Sequence, residues 1–393
     1  MPAYATVQDV QARMLRTMSS AEEAVCANLL DDAGVIIDAY NADASANAKK
    51  VVSCNMVVRA MGDGELTTDL LKTTGFGVYC WYTENNDFTT PRASTYMLMR
   101  NQEVTWASNN WTYSPLKYWP ETPDELLTFR AYAPYTDAEL SYDDNGMPRL
   151  PVSVAADDYT NGTQHDPLFG TTQNGLLYTD YNYLKSGSTA TSDDTDGTIH
   201  WYFHHGMAKL VFKAAINPKS TIEKLTITGI TVTPLYDEGI LDISSTAFNT
   251  TTNTKDKPTW YDRDGRISAD ITFGEDKTVE LVKKATAPTL DDYVSILNGN
   301  GLLVIPRHYG ETTNDDPTTA TAPMTITVSY QVEGSTETKT ATATINKANI
   351  QGNTVYTFYL LLDPSINDTL TLIEVGIRTW TKAADITHDV YNW

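Results

Sequence analysis

From Leu66 onward, apolar residues alternate with threonine, serine and other polar residues with a period of two. Clear examples are residues 75–82, 324–332 and 355–362, and Gly, Asn, Asp, Ser and Thr fill the intervals between such runs. Successive side chains of a strand point to opposite faces, so this period predicts strands with one buried face. No run after Gly64 keeps a helical period for more than two turns. The sequence therefore predicts a mainly β protein, and two β-sandwiches in tandem fit it best.

Aromatic residues are dense within residues 111–135, where prolines interrupt two aromatic runs. Aromatic side chains are enriched in strands, whereas prolines are confined to strand ends, edges and turns. We therefore predict a strand buried on one face, together with the turn that leads into it. Five aromatic residues of this motif are expected in the core of the first sandwich or at a domain interface: Trp111, Tyr118, Trp119, Phe129 and Tyr132.

Residues 1–61 differ from the remainder because their apolar residues recur with a helical period. Thr6 and Ser19 are expected helix N-caps, since each is followed three residues later by an acidic residue. Gly62-Asp63-Gly64 ends the pattern. Residues 1–64 are therefore predicted to form a module of three short helices.

The charge balance excludes one class of function. The chain has 28 Lys and Arg residues against 50 Asp and Glu residues, which gives a formal net charge of −22. Such a protein repels nucleic-acid phosphates and anionic lipids. No apolar run approaches the roughly 20 residues that a membrane-spanning helix needs. We therefore expect neither a nucleic-acid partner nor a membrane span.

The cysteines and the first residues bear on the cellular compartment. Cys26, Cys54 and Cys80 match no metal-ligand spacing and are too few for a disulfide framework, so we expect them to be buried as small apolar residues. The first 30 residues have no charged start, apolar segment and small-residue cleavage site in series, and no cysteine follows a lipobox. The sequence thus predicts no export signal.

Catalytic and metal-binding patterns do not rise above background. The chain has no Gly-rich phosphate loop and no G-x-S-x-G elbow. His204 and His205 are neighbours in a predicted strand, so we expect one in the core and the other exposed. Segments 193–197 and 262–265 place carboxylates before a glycine, as calcium loops do, but both lack the distal glutamate. A plain turn is the favoured interpretation of each, and we predict no cofactor, no metal and no catalytic residue.

Five segments carry a family resemblance: residues 111–135, 203–212, 302–306, 349–358 and 375–380. In content and order they resemble the Bacteroidales fimbrillin-like family of surface pilins and pilus-tip or anchor proteins. The resemblance implies two transthyretin-like β-sandwiches, at residues 65–196 and 197–393. It also implies a non-enzymatic structural or adhesive subunit of a bacterial fimbria, located at the cell surface and outer membrane.

The same resemblance implies partners and candidate sites. The partners are other fimbrial subunits, joined by β-strand exchange, and a host protein or glycan receptor. Arg59 lies where the family is trimmed by a protease, so it is the candidate processing residue. If helices replace the family's first strand, the first sandwich has an unpaired edge that accepts a donor strand. The candidate donor is residues 370–380 with the tail that follows, and its marked residues are Leu370, Leu372, Val375, Ile377 and Trp380.

The N-terminal block resembles a different family. Segments 4–10, 35–41 and 51–54 are similar to the phage head-tail connector (adaptor) family, over about 60 residues. We interpret the chain as a fusion of a connector fragment to a fimbrillin-like chain, joined near residues 59–64. Two alternative functions therefore stay open: a structural or connector component of a phage virion, and a surface glycan-binding protein, which rests on the aromatic and acidic content alone.

Overall fold

The computed structural model describes most of the chain after residue 67 and scattered positions before it. The described residues are 4–8, 10, 26–31, 33–34, 37, 49–50, 53, 68–84, 97–108, 110–117, 125–138, 140–142, 148–161, 165–171, 182–183, 198–243, 258–274, 278–297, 301–310, 322–364, 369–379 and 384–389. Within residues 7–53, every described position is helical. The predicted module of three helices stays a prediction.

The described residues after position 67 form two short helices, one 3-10 turn and a series of strands. The helices are α1 (Thr68–Thr74) and α2 (Ala156–Asn161), and the 3-10 turn is Leu290–Asp292. The strands are β1 (Phe76–Glu84), β2 (Met97–Ala107), β3 (Asn110–Thr112), β4 (Glu125–Ala133), β5 (Ser141–Tyr142), β6 (Pro148–Ser153), β7 (Leu168–Thr171), β8 (Asn182–Tyr183), β9 (Thr198–His205), β10 (Ala208–Ile216), β11 (Lys224–Leu235), β12 (Glu238–Asp242), β13 (Trp260–Asp264), β14 (Ile267–Thr272), β15 (Val279–Val282), β16 (Val294–Ser295), β17 (Leu302–Val304), β18 (Arg307–Tyr309), β19 (Met324–Val332), β20 (Thr338–Ile345), β21 (Ala348–Ile350), β22 (Thr354–Asp363), β23 (Thr369–Thr379) and β24 (Ala384–Asp389). The prediction of a mainly β protein is confirmed.

Sheet 1 has eight strands in the order β24-β9-β7-β4-β1-β2-β3, with β8 paired to β4. Its centre is the antiparallel pair β1–β4, in register from Gly77 opposite Tyr132 to Glu84 opposite Glu125. The two end strands, β24 and β3, also contact each other, and α1 contacts both β2 and β24. The sheet therefore curls until its two edges meet.

Sheets 2 and 3 both contribute residues to one buried apolar cluster. Sheet 2 has the order β16-β10-β22-β23 with β17 on β10, and sheet 3 has the order β14-β11-β19-β20 with β15 on β11. The pair β10–β22 is parallel, with Ala208 opposite Thr354. β19 alternates strictly between buried and half-buried residues over most of its length, because its apolar residues face the core and its threonines face out.

Sheets 4 and 5 connect these layers. Sheet 4 has the order β13-β12-β6-β5, and sheet 5 pairs β18 with β21. The predicted division into residues 65–196 and 197–393 stays a prediction, and strands from both sides of residue 197 share sheets. β9 and β24 lie in sheet 1 with β1–β4, whereas β6 pairs with β12 in sheet 4.

Two apolar clusters are built on opposite faces of sheet 1. Phe76, Val78 and Cys80 of β1 belong to the smaller cluster, which also contains aromatic residues of β3, β4 and β9. Tyr79 and Trp81 of the same strand belong to the larger cluster, which fills the space between the other sheets. The central strand β1 is thus buried on both faces. In the described part of the chain, no helix is long and apolar enough to cross a membrane.

Candidate assembly site

The C-terminal strand β24 forms one edge of sheet 1. It pairs antiparallel with β9, from Ala384 opposite Phe203 to Asp389 opposite Thr198. In the sheet order, β9 is its one hydrogen-bonded neighbour among the described strands. β24 also contacts β3, which is the strand at the opposite end of the same sheet. We call this junction between β3 and β24 the seam.

Aromatic side chains fill the space that the curled sheet encloses. The Phe76 ring lies 5.1 Å from the Trp111 ring and 5.3 Å from the Phe203 ring, both edge-on, measured between ring centroids. Trp111 belongs to β3 at one edge of the sheet, whereas Phe203 belongs to β9, the neighbour of β24. The aromatic cluster thus spans the sheet from one side of the seam to the other. Edge-on aromatic pairs add to the free energy of area burial.

The aromatic residues predicted for the core lie in both clusters where they are described. Trp111 and Phe129 are buried in the smaller cluster, and Tyr132 is buried in the larger one. The Tyr132 hydroxyl donates to Asn101 Oδ1 at 2.6 Å, and burial raises its pKa to about 12. Tyr118 and Trp119 lie outside the described residues. The role predicted for the whole motif stays a prediction.

The strand predicted to be a donor is built into sheet 2. β23 pairs with β22 from Thr354 opposite Thr379 to Asp363 opposite Thr369, a total of ten residue pairs that include Leu372 opposite Leu360. Leu370 is buried, Val375 packs on the larger cluster, and Ile377 is 67% exposed. Trp380 lies outside the described residues, and so does the candidate processing residue Arg59. The other edge of β23 ends the sheet.

A second polar site lies where the chain passes from sheet 1 to sheet 2, at Gly206 and Met207. The Gly206 N–H donates to Pro167 O at 2.8 Å, and the Gly206 carbonyl accepts the Trp260 indole N–H at 2.9 Å. The Met207 N–H donates to Asp166 Oδ1 at 2.9 Å, and its carbonyl accepts the Asn353 N–H at 2.9 Å. We call this the crossover turn. Three segments distant from one another in sequence converge on it: residues 166–167, Trp260 and Asn353.

The two histidines before the crossover turn correct one expectation. His204 is 6% exposed and stacks on the Phe169 ring, while His205 is fully buried with its Nδ1 2.5 Å from Asp166 Oδ2. The expectation of one buried and one exposed histidine is wrong, because strand β9 is covered on both faces at its end. The sequence analysis assigned no role to Asp166. Its position directly before the apolar residues 167–169 was a usable signal for a buried carboxylate.

The cysteines and the acidic turns are placed as follows. Cys26 and Cys80 are buried, as predicted, and burial raises the pKa of the Cys80 thiol. In segment 262–265, residues 262–264 end strand β13 and Gly265 begins the turn to β14, where the Gly265 N–H donates to Asp264 Oδ1 at 2.7 Å. Among the described residues, no three His, Cys, Asp or Glu side chains are grouped to hold a metal ion. Segment 193–197 and Cys54 lie outside them.

Comparison with known proteins identifies the family of this chain. The profile of the family described as fimbrillin-like matches residues 59–380, which is more than half of the chain. The chain belongs to the fimbrillin-like family. The match begins at residue 59, near the end of the N-terminal block, and the likeness of that block to phage connectors stays a prediction.

Individual relatives of this fimbrillin-like chain are distant in sequence. The fimbrium subunit Fim1C of Phocaeicola vulgatus is 23% identical over 355 residues, covering 84% of this chain and 87% of that protein. A putative cell adhesion protein from Bacteroides ovatus matches with 14% identity and a TM-score of 0.39, over 80% of this chain and 94% of the other. A fimbrial assembly protein from Parabacteroides distasonis matches with 10% identity and a TM-score of 0.26, over 80% and 96%.

Proposed function

We propose that this protein is a non-enzymatic structural or adhesive subunit of a bacterial surface fimbria, joined to its neighbours by exchange of strand β24. Membership of the fimbrillin-like family and the similarity to a fimbrium subunit support the fimbrial role. One observation carries the exchange: the C-terminal strand forms the edge of a sheet whose other strands lie up to 300 residues earlier in the chain. A strand in this position can be supplied by the same chain or by a neighbouring copy.

When β24 is exchanged between two copies of the protein, its backbone pairing with β9 is kept. The β24 of a neighbouring copy makes the same backbone hydrogen bonds to β9 as the chain's own strand. Assembly therefore causes no loss of hydrogen bonds at this edge. Residues 380–383 separate β23 from β24, and this link spans at most about 17 Å when extended. A donating neighbour must therefore place the end of its β23 close to the accepting β9.

Within the predicted donor region, β24 is better suited to exchange than β23. Removing β23 breaks ten residue pairs and takes two of its own residues, Leu370 and Val375, out of the larger cluster. Removing β24 breaks six residue pairs at a sheet edge. We therefore assign donation to the tail that follows Trp380, residues 381–393 with strand β24, and not to Leu370–Trp380 itself. Trimming at Arg59, transthyretin-like domains, a location at the outer membrane and a host protein or glycan receptor belong to the same proposal.

A disulfide trap tests the exchange. Thr387 is opposite His200 in the backbone register of the β24–β9 pair. Two proteins are made in a background in which Cys26, Cys54 and Cys80 are replaced by alanine, one with Thr387→Cys and the other with His200→Cys. Mixing them under mild oxidation is expected to give a disulfide-linked heterodimer, detected by non-reducing electrophoresis and intact mass. A matched pair with Thr387→Cys and Thr342→Cys on the distant β20 serves as the control.

A double variant with Thr387→Cys and His200→Cys in one chain shows whether the two positions can form a disulfide at all. If Thr387→Cys and His200→Cys in one chain form an internal disulfide but the mixed single variants form no more heterodimer than the control pair, strand exchange by this segment is rejected. The fimbrial role would then need another mode of assembly. Equal crosslinking in the control pair would show random collision and would also reject the exchange.

A further inference from the structure

The turn between β13 and β14 contains an exposed Asp–Gly sequence. Strand β13 ends at Asp264 and β14 begins at Ile267, so the turn consists of Gly265 and Arg266. Asp264 is exposed to solvent. The Gly265 N–H donates to the Asp264 Oδ1 atom at 2.7 Å. The amide nitrogen of Gly265 is therefore at most about 3.9 Å from Cγ, the carboxyl carbon of the preceding side chain.

The fold requires glycine at the second position of this sequence. Gly265 has a φ of +77°, in the left-handed region that favours glycine. A Cβ atom on this residue would also overlap the Asp237 Oδ1 atom. Because glycine has no side chain, nothing on residue 265 shields its nitrogen from the carboxyl group of Asp264. The structure thus keeps an unhindered backbone nitrogen beside an exposed carboxyl group.

We propose that Asp264 isomerises spontaneously to isoaspartate in the folded protein. The Gly265 nitrogen attacks Asp264 Cγ, and the new N–C bond closes a five-membered succinimide ring. One carboxyl oxygen leaves as water, with the amide proton and one proton from the solvent. A water molecule then opens the ring at either of its two carbonyl carbons. Opening at Cγ restores aspartate. Opening at the former backbone carbonyl breaks that C–N bond and leaves the chain running through Cβ and Cγ.

The turn favours this reaction because it holds the two groups together. Reacting groups that one molecule keeps close to each other react faster than groups that must first meet. A small rotation of the Asp264 side chain brings Cγ into contact with the Gly265 nitrogen, and the exposed position gives water access to the ring. The chain has two further Asp–Gly sequences, at residues 63–64 and 196–197, which lie outside the described residues.

Isomerisation would change a turn that has no spare length. Isoaspartate adds one carbon atom to the backbone directly before the two-residue turn. The Asp264 carbonyl oxygen accepts the Asp237 N–H at 3.3 Å, and Asp264 is opposite Glu238 in the β12–β13 pair. In isoaspartate the carbon of this carbonyl belongs to a free carboxylate and no longer to the chain. We therefore expect the isomerised protein to melt at a lower temperature than the unchanged protein.

Peptide mapping after incubation of the full chain in heavy-oxygen water tests the site. Each opening of the ring adds one heavy oxygen, and electron-transfer fragmentation distinguishes isoaspartate from aspartate. The peptide that contains residue 264 is expected to gain both signals with time. Asp264→Glu should lose both, because its longer side chain would have to close a six-membered ring. Asp157→Glu, at an exposed aspartate of α2, is the matched control and should leave both signals at residue 264 unchanged.

A synthetic peptide of residues 258–270 supplies the reference for the folded protein. Absence of isoaspartate at residue 264 of the folded protein, over a period in which this peptide isomerises, would overturn the proposal, because the turn would then protect Asp264. Heavy-oxygen uptake that is undiminished in Asp264→Glu would also overturn it, since the label would come from another position. None of these results bears on strand exchange.

Discussion

At the residue scale, buried polar groups mark the points where the fold changes direction. In the crossover turn, four hydrogen-bonding groups from three distant segments satisfy the backbone of Gly206 and Met207. Gly206 is required there because a Cβ atom on it would lie 2.4 Å from the Pro167 carbonyl oxygen and 2.9 Å from Leu241 Cδ2. Asp166 has the central role, since its two carboxylate oxygens contact the Met207 N–H and the His205 ring.

Replacement of Asp166 by alanine should destabilise the protein. The change leaves the buried Met207 N–H without its acceptor and removes the contact to the His205 ring. We expect a loss of about 1–3 kcal/mol in the free energy of unfolding, measured by urea denaturation. Asp157→Ala, on the exposed side of α2, should change this free energy by less than about 0.5 kcal/mol. Equal effects of the two substitutions would contradict the role given to Asp166.

Tyr132 makes the fold sensitive to alkali. Burial raises its pKa from 10.0 to about 12 in the folded state, so the folded protein holds this proton more tightly than the unfolded chain. The corresponding stability is fully present below pH 10 and is lost as the pH rises through 12. Tyr132→Phe does not ionise, so its free energy of unfolding should fall less across this window, by up to roughly 2–3 kcal/mol. Parallel pH curves for both proteins would contradict this expectation.

At the element scale, sheet 1 is stabilised by side chains on both of its faces. β1 alternates between Phe76, Val78 and Cys80 on one face and Tyr79 and Trp81 on the other, and all five residues are buried. A strand covered on both sides loses more apolar contact on unfolding than a strand with one wet face. The strands of this sheet therefore depend on one another, although they come from both ends of the chain.

The indole of Trp201 should be one of the largest contributors to sheet 1. It is 1% exposed, and its ring centroid lies within 6.4 Å of those of Phe76, Phe129 and Phe203. Trp201→Ala is expected to cost about 3–5 kcal/mol in the free energy of unfolding. Leu116→Ala, at a 46% exposed apolar residue, should cost less than about 1 kcal/mol. A loss below 1 kcal/mol for Trp201→Ala would show that the smaller cluster is loosely packed.

At the scale of the whole molecule, the last described strand returns to the first sheet. β24 follows β23 of sheet 2 but pairs with β9 of sheet 1, so the C-terminal segment joins the two halves of the chain. The seam beside it is where sheet 1 closes. An edge of this kind is open to pairing with a further chain when its own strand leaves.

Removal of residues 384–393 should uncover the edge of β9. We expect the shortened protein to unfold at a lower temperature and to bind a synthetic peptide of residues 381–393, with recovery of part of the lost stability. The same peptide with Ile386→Pro should not bind, because proline breaks the pairing at the position opposite Trp201. Calorimetric titration gives the affinity. An unchanged melting temperature after shortening, or equal binding of both peptides, would contradict a removable strand.

The sequence alone determined the structural class and the side chains that face the cores. A period of two identifies which residues share a face of a strand, so the mainly β fold and buried positions such as Phe129 and Val328 followed from local pattern. Pairing did not, since the partners β24 and β9 are about 180 residues apart and the parallel pair β10–β22 is about 145 residues apart. Many partners offer a strand the same hydrogen bonds, and the tertiary structure selects the one that buries the most apolar surface. For the same reason, the burial of His204, His205 and Arg307 and the contact of Asp166 with His205 depend on what covers each strand, which no local pattern records.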